Sequence, residues 1–533
     1  MKVHILLPFV LFLPAVVLSY TWPSWTDELE DIMYLQSGFL RRGFHDGISP
    51  CTFSTSFSPF RHGAAEWIRT AFHDAITHEK RTGQGGLDAS LMYELDRPEN
   101  VGNDAMNDTF AFFSGFQSRR ASMADLLALG VYTSVRECRG PVIPFRAGRI
   151  DAMGAGVPGV PEPTTDLETT RKMFKKAGFD TADMIAMVAC GHTLGGVHGD
   201  DFPEITGKND ESSFPRFDST TGEFDNMVVT EYLSDNTSNV LVVGPHATNS
   251  DMRVFSSDKN ATMRKLANPD TFRTTCASIL QRMIETVPSS VTLTEPIQPV
   301  DIKPMSIQLS VTSATTLSFR GFIRVRMTER QKHGNPPLDL SLPYKTRQGK
   351  DGGKITAKMP TFRGGAGLGF DDWFQFYEFR ADDIPSNTSI SSFVVKYSNE
   401  SAHTNGGGGF RVHDEILAQP LQSCILRNLT DIRLVAAVRN DRTHLRTYAE
   451  VAVKHYTPGI LGARIEVRRV EMKSNGTVLG QYTFFGGRTE VDERSAFTQY
   501  DLVNGDVRVE FLSTSSFSWQ EGQGGCPHLF ATE

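Results

Sequence analysis

RHGAAEWIRTAFHDA, residues 61–75, is the stretch whose reading decides the fold. After Gly63 it has neither glycine nor proline, it is rich in alanine, and its apolar residues recur at helical spacing, so it reads as a helix. Arg69 and His73 lie four residues apart and therefore project from one face. A guanidinium beside an imidazole suits work on a peroxide: the imidazole can carry a proton and the guanidinium can hold developing negative charge. Asp74 points elsewhere and is free for a different role.

The chain has 533 residues, enough for about three domains of ordinary size. Its 39% hydrophobic and 22% charged content is that of a globular protein, and a net charge of −8 speaks against nucleic acid or an anionic membrane as partner. Residues 1–19, MKVHILLPFVLFLPAVVLS, have the basic start, apolar centre and small-residue end of a secretory signal, so a secreted, extracellular, monomeric protein is expected. Six cysteines and seven N-x-S/T sequons (Asn107, Asn236, Asn260, Asn387, Asn399, Asn428, Asn475) agree with export.

Helical patterns run over 25–42, 63–76, 123–135, 165–176, 181–190, 226–233, 250–256 and 270–286. Beyond Pro288 the texture changes. Residues 305–327 alternate apolar and polar, and strand-like runs recur at 391–397, 432–438, 447–455, 463–472 and 507–512. The expected organisation is a signal (1–19), a mainly helical domain (20–290), an extended linker (291–304) and two β-sandwich-like modules (305–415 and 420–533). The modules are suggested by a loose likeness of 391–410 to 505–525, and one irregular β domain is the alternative.

The second anchor is TADMIAMVACGHTLGGVH, residues 181–198, in which Thr181 opens a helix and Gly191 loosens its end before His192. In NSDMRVF (249–255), Asp251 is a carboxylate able to accept the Nδ1 proton of a metal-bound imidazole. Taken in order, RTAFHDA, ACGHTLGG and NSDMRVF resemble the plant–fungal–bacterial haem peroxidase superfamily, and its secreted fungal class II branch in particular, over residues 25–285. The resemblance implies a two-part helical fold around haem b. It makes His192 the axial iron ligand, Asp251 its hydrogen-bond partner, and Phe217 the aromatic packed on it. On the distal side it makes His73 the acid–base residue, Arg69 the charge stabiliser, Phe72 a wall, Glu94 and Asn100 the bridge behind His73, and Pro161 a carbonyl facing the cavity. The substrates implied are hydrogen peroxide and small, phenol-like reducing donors.

The resemblance also implies two Ca²⁺ ions, in keeping with the density of hard oxygen ligands. One set is Asp74, Gly86, Asp88 and Ser90; the other is Thr193, Asp218, Thr220, Glu223 and Asp225. It pairs Cys51 with Cys138, leaves Cys190 and Cys276 either paired or with Cys190 a buried thiol, and leaves Cys424 and Cys526 to close the C-terminal region. Two departures narrow the substrate. Of the three carboxylates that the manganese-oxidising branch needs, only Glu66 is present, with His62 and His198 in the other places. Met187 stands where the lignin-oxidising branch carries its surface tryptophan.

The β half carries no family residue. TNGGGGFR (404–411) reads as a loop, and Trp373 with FQFYEF (374–379) as strand core or, less simply, a face for polysaccharide or cell wall. The competing function is a secreted adhesion or binding protein on a decayed peroxidase scaffold. The intact set Arg69, His73, Asn100, His192 and Asp251 opposes it. An intracellular ascorbate- or cytochrome-type enzyme conflicts with the signal, the sequons and both calcium sets.

Overall fold

The computed structural model describes residues 20–54, 60–332, 338–397, 401–426, 430–492 and 497–520. The signal segment, Asn399, Asn428 and Cys526 lie outside the described residues. The first half holds the helices α1 (Asp27–Tyr34), α2 (Gly63–Ala75), α3 (Asn103–Ser114), α4 (Met123–Glu137), α5 (Leu167–Ala177), α6 (Thr181–Gly191), α7 (Pro203–Thr206), α8 (Met227–Leu233), α9 (Val240–Val243), α10 (Ser250–Phe255), α11 (Ala261–Leu266) and α12 (Pro269–Ile284). Local chemistry sets their starts. The side chains of Ser122, Asp166 and Asn268 cap α4, α5 and α12, and Asp180 with Asp183 forms a capping box on α6.

Two helix readings need correction. The pattern over 25–42 breaks at Leu35, and Ser37–Gly38 form a short strand, β1. Gly38 sits at φ +89°, and a Cβ there would lie 2.3 Å from the Ala366 carbonyl oxygen, so the close strand approach decides against helix. α3 was not anticipated: NDAMNDTFAFFS lacks a clean apolar stripe and starts after Gly102, at φ +73°.

The strands of the second half begin with β2 (Ile302–Val311), β3 (Thr316–Arg326), β4 (Leu340–Lys345), β5 (Asp351–Lys358), β6 (Ala366–Leu368), β7 (Trp373–Pro385), β8 (Ser392–Phe393), β9 (Lys396–Tyr397) and β10 (Phe410–Arg411), which share one sheet with β1. The helical half thus supplies an edge of that sheet, Ser37 opposite Leu368 and Gly38 opposite Gly367. After these come β11 (Ile416–Ala418), β12 (Cys424–Leu426), β13 (Asp431–Arg439), β14 (Thr447–Tyr456), β15 (Ala463–Glu471), β16 (Lys473–Leu479), β17 (Tyr482–Glu490), β18 (Gln499–Asn504), β19 (Val507–Ser513) and β20 (Ser518–Gln520). β16, β17, β13, β12 and β20, with β11 on β13, make a second sheet; β15, β14, β18 and β19 make a third. Alternate residues of the two sheets, among them Ile432, Leu434, Val451, Val453 and Leu502, share one apolar core. The likeness of 391–410 to 505–525 does not reflect equivalent elements. The first segment makes two-residue strands, whereas the second makes the seven-residue β19.

The FQFYEF run is core rather than a sugar-binding face. Phe374, Phe376, Tyr377 and Phe379 are all buried, and Phe374 and Phe376 belong to the core of the helical half. The connector after α12 is pinned to the helical half by Thr294 N–H to the Ala147 carbonyl and Ile297 N–H to that of Phe145. The glycine-rich 404–411 loop holds the N-terminal segment. Asn405 accepts from the Trp22 N–H and donates to the Trp22 carbonyl, both at 2.8 Å.

Cys51 is bonded to Cys138 and Cys190 to Cys276, with Cα separations of 5.0 and 5.5 Å. The second bridge ties α6 to α12 and resolves the two alternatives left for Cys190. Cys424 is disulfide-bonded as well. No helix of the described residues is long and apolar enough to cross a membrane.

Candidate active site

The face of α2 that carries Ala64, Trp67, Ile68 and Ala71 is buried in the core, which turns Arg69, Phe72 and His73 into a deep cleft. The cleft is walled by apolar side chains, among them Met187, Val188, Leu194, Phe217, Leu241 and Met283, and Pro161 lies at its rim. His192 lies in it at the C-terminal end of α6.

Each histidine is held by one ring nitrogen. His73 Nδ1 donates to Asn100 Oδ1 at 2.8 Å, and Asn100 Nδ2 donates to the Glu94 carbonyl at 2.8 Å. The backbone of Glu94, not its carboxylate, therefore holds Asn100; the carboxylate takes Arg97 at 2.6 Å and the Gly156 N–H at 2.5 Å. Burial pushes the His73 imidazole down to about 3, with the Arg69 charge acting the same way and the Asn100 bond opposing. The ring is neutral at ordinary pH, with Nε2 as its free base position. The Arg69 guanidinium donates to the Val101 carbonyl at 2.5 Å and lies 6.0 Å from the Phe202 ring centre. Burial lowers it to about 10, so it stays cationic.

His192 Nδ1 donates to Asp251 Oδ2 at 2.9 Å, and the Phe217 ring stacks on the imidazole at 4.2 Å and 15°. Asp251 is buried and also accepts from Asn239 Nδ2 at 2.8 Å. Asn239 was missed from the sequence. It sits in a polar loop, where its only local signal is the cap it makes on Leu241 N–H.

At one end of the cleft His198 stacks on Phe214, over which Arg216 lies 4.0 Å from the ring centre. Arg61, Arg69 and Arg216 all bear on His198, which burial and these charges hold at about 3. Arg61 Nη1, Arg216 Nη1 and Glu66 Oε1 are buried without a hydrogen bond among the described residues. His62 is not available to a metal: its Nδ1 accepts the Ala65 N–H as the cap of α2 and its Nε2 donates to the Thr221 carbonyl at 2.9 Å. Among the described residues no cluster of three His, Cys, Asp or Glu side chains is placed to hold a metal ion. Met187 is buried at the cleft wall.

The two oxygen-rich sets are each brought together but differ in how their oxygens are used. In the first, the Asp74 carboxylate accepts from the backbone N–H groups of Asp88 (2.8 Å), Ala89 (2.7 Å) and Leu91 (2.9 Å), with Ser90 Oγ at 3.4 Å; Gly86 turns its carbonyl to the Asp88 N–H. Burial and the neighbouring Asp88 raise Asp74 well above the usual carboxylate range. In the second, Thr193 Oγ1 donates to the Asp225 carbonyl at 2.6 Å, and Thr220 Oγ1 bridges Asp218 and Asp225 at 3.3 and 3.0 Å. Asp218 Oδ2 is buried and unpartnered, and burial with Asp225 raises that carboxyl to about 7. The Glu223 side chain pairs with Arg139 at 2.8 Å, which leaves only its carbonyl for the set.

The Peroxidase family pattern matches residues 52–269. A WSC domain-containing protein of Arthroderma benhamiae is 45% identical over 391 residues, which is 72% of this chain and 53% of that protein. Such a span must reach beyond residue 269 into the β half. The peroxisomal L-ascorbate peroxidase 5 of Arabidopsis thaliana is 34% identical over 142 residues (26% of this chain, 50% of that one). The mitochondrial cytochrome c peroxidase of Neurospora crassa is 30% identical over 141 residues (25% and 38%). The chain thus spans about half the length, or less, of the curated relatives it matches. Two histidines open on one cleft within a helical fold, inside the matched span, and they lead to one placement: the helical half of this chain is a domain of the plant–fungal–bacterial haem peroxidase superfamily.

Proposed function

We propose that the chain is a secreted peroxidase that binds haem b in the His73–His192 cleft, reduces hydrogen peroxide and oxidises small phenol-like donors one electron at a time. The carrying observation is that both imidazoles have Nδ1 tied to a buried protein acceptor and turn the free Nε2 side to the same apolar cleft. The buried Arg216 Nη1, which has no hydrogen bond among the described residues, favours haem, whose carboxylates would supply an acceptor; Arg61 beside it is ion-paired with Glu66 at 3.6 Å and Asp201 at 3.5 Å. When bound, haem supplies an iron that takes up peroxide and stores oxidising equivalents.

The chain's own part follows from its hydrogen bonds. His192 Nε2 would hold the iron, and Asp251, fixed by Asn239, accepts the Nδ1 proton and would strengthen that donor. Asn100 keeps the His73 proton on Nδ1, so Nε2 can take a proton from one oxygen of hydrogen peroxide and return it to the departing oxygen. Arg69 offers its charge to that departing oxygen. Two calcium ions would bind beside the two histidines, through Asp74, Gly86, Asp88 and Ser90, and through Thr193, Asp218, Thr220, Glu223 and Asp225. The orphaned Asp218 Oδ2 supports the second site most directly. Small donors suit a cleft that lacks the manganese carboxylates and has Met187 in place of an exposed tryptophan.

The test is rapid mixing of the haem-loaded full chain with hydrogen peroxide, followed by oxidation of a phenolic dye. His73→Leu should slow the peroxide step by about 10²–10⁴ while haem stays bound. A haem-loaded wild-type chain that leaves peroxide unreacted would refute the reading.

A further inference from the structure

The turn between β14 and β15, Thr457–Gly462, leaves the β half and packs against the helical half. Ile460 and Leu461 lie on the helical core. Gly462 is buried against Met92, so closely that a Cβ would stand 2.5 Å from its Sδ. Next to it, Ala463 makes a reciprocal pair with the buried side chain of Gln117: Nε2 donates to the Ala463 carbonyl at 2.8 Å and Oε1 accepts its N–H at 2.9 Å. Gln117 Nε2 also donates to Asp151 at 3.0 Å, and the next residue, Ala152, donates its N–H to the Asp88 carbonyl at 2.7 Å.

Both routes end on one short segment, Asp88–Glu94. Its inner side is the one that serves the cleft: Asp88, Ala89 and Leu91 N–H hold Asp74, and the Glu94 carbonyl holds Asn100, which holds His73. Its outer side meets the turn directly at Met92, and at Asp88 by relay through Ala152, Asp151 and Gln117. Leu91 and Met92 also seat the segment in the helical core, and the Glu94 carboxylate ties it to Arg97 and the Gly156 N–H, so the outer grip refines a position that the helical half sets in part.

We infer that the β14–β15 turn is the outer clamp of segment Asp88–Glu94, and that Gln117 and Gly462 are positioning residues for the distal histidine. The β half, which contributes no residue to the cleft wall among the described residues, then acts on the site by fixing the strip of backbone behind it. The inference rests on the peroxidase reading for its catalytic consequence only; the mechanical link stands on its own.

Hydrogen exchange on the full chain tests it. In Gln117→Leu, the peptide covering Asp88–Glu94 should exchange about tenfold faster, because two buried hydrogen bonds of the clamp are gone, while the α6 peptide that carries His192 keeps its protection. Gly462→Leu, which drives the turn off Met92, should do the same, so the inference survives a failure of either variant to fold. In the haem-loaded variants the rate with peroxide should fall while dye oxidation at saturating dye is unchanged. Unchanged exchange over Asp88–Glu94 in a folded variant would overturn the inference, and so would an equal rise in α6. A wild-type chain without peroxide turnover sinks the proposed function and leaves the exchange test intact.

Discussion

In the helical half the side chains of the cleft project from, or sit beside, a few short elements; in the β half no side chain of the described residues reaches the cleft, yet that half packs against the other through buried ion pairs. Arg324 on β3 is fully buried and donates to Asp31 at 2.9 Å and Glu30 at 2.5 Å of α1; Lys303 on β2 reaches Glu30 at 2.8 Å and the Asp27 carbonyl at 2.6 Å. Arg119 and Arg120 reach back to Asp501 at 2.9 and 3.3 Å. The difference teaches that the residues lining a cleft and the residues packing its scaffold can come from different halves of one chain. The matched family span holds His73, His192 and Asp251, but two aromatics of the core around it, Phe374 and Phe376, come from β7.

The strongest way to break this comparison is to cut it. A 20–290 fragment leaves Glu30 and Asp31 without their cations and opens the core where Phe374 and Phe376 sat, so it should show no cooperative melting transition and take up no haem. A fragment that melts like the full chain in calorimetry would show the halves to be independent. Next in size is Arg324→Met, which leaves the buried Glu30 and Asp31 to share the single cation of Lys303 and should cost about 3 kcal/mol in urea unfolding. The exposed pair of Arg446 with Glu471 is the control, and Arg446→Ala should leave the urea midpoint nearly unchanged. Burial alone would raise Glu30, but Arg324 and Lys303 outweigh it and hold it well below the usual carboxylate range. A lowered value in the folded state means stability that is complete above the ordinary glutamate range and is lost as pH falls toward the depressed value. Arg324→Met should flatten that acid limb of the stability curve.

Calcium sharpens the comparison within the helical half. Adding Ca²⁺ to chelator-treated chain at a hundredfold excess over Kd should stabilise it by about 2.7 kcal/mol, read as a rise in Tm. The sign of Asp218→Asn is diagnostic. With an ion bound, the substitution removes a ligand and lowers Tm. With none, it replaces a buried carboxylate that has one unpartnered oxygen by a neutral amide and raises Tm. A rise in Tm in calcium buffer would remove the ion from this loop.

The cleft was legible because its residues lie in local patterns. Arg69 and His73 share a helix face, His192 follows a capped helix, and the Asp251 motif is short and contiguous. Asn239 was not legible, because an asparagine in a polar loop looks the same whether or not it holds a buried carboxylate. Nor were Lys303 and Arg324, since a cation on an alternating strand reads as solvent-facing until the acidic partners on α1, far away in sequence, fold onto it. Phe374 and Phe376 were legible as strand core but not as part of another domain's core, because alternation reports which face is buried and not what covers it. The boundary near residue 290 marks a change of secondary structure, and the packing crosses it.

Gly462 offers the smallest and most discriminating test of how the two halves touch. Its φ is not in the left-handed region, so alanine there is resisted by Met92 alone and not by the backbone. The nearest atom is a flexible thioether, which can give way, so Gly462→Ala should cost only about 1 kcal/mol. In a Met92→Ala background the obstacle is gone, and the same substitution should stabilise by about 0.4–1 kcal/mol through the less flexible unfolded chain. A reversal of sign across this double-mutant cycle would place the coupling in the Gly462–Met92 contact itself. Equal effects in both backgrounds would mean that the turn rests on the helical half without pressing on Met92, and its hold on the segment behind His73 would then run through Gln117 alone.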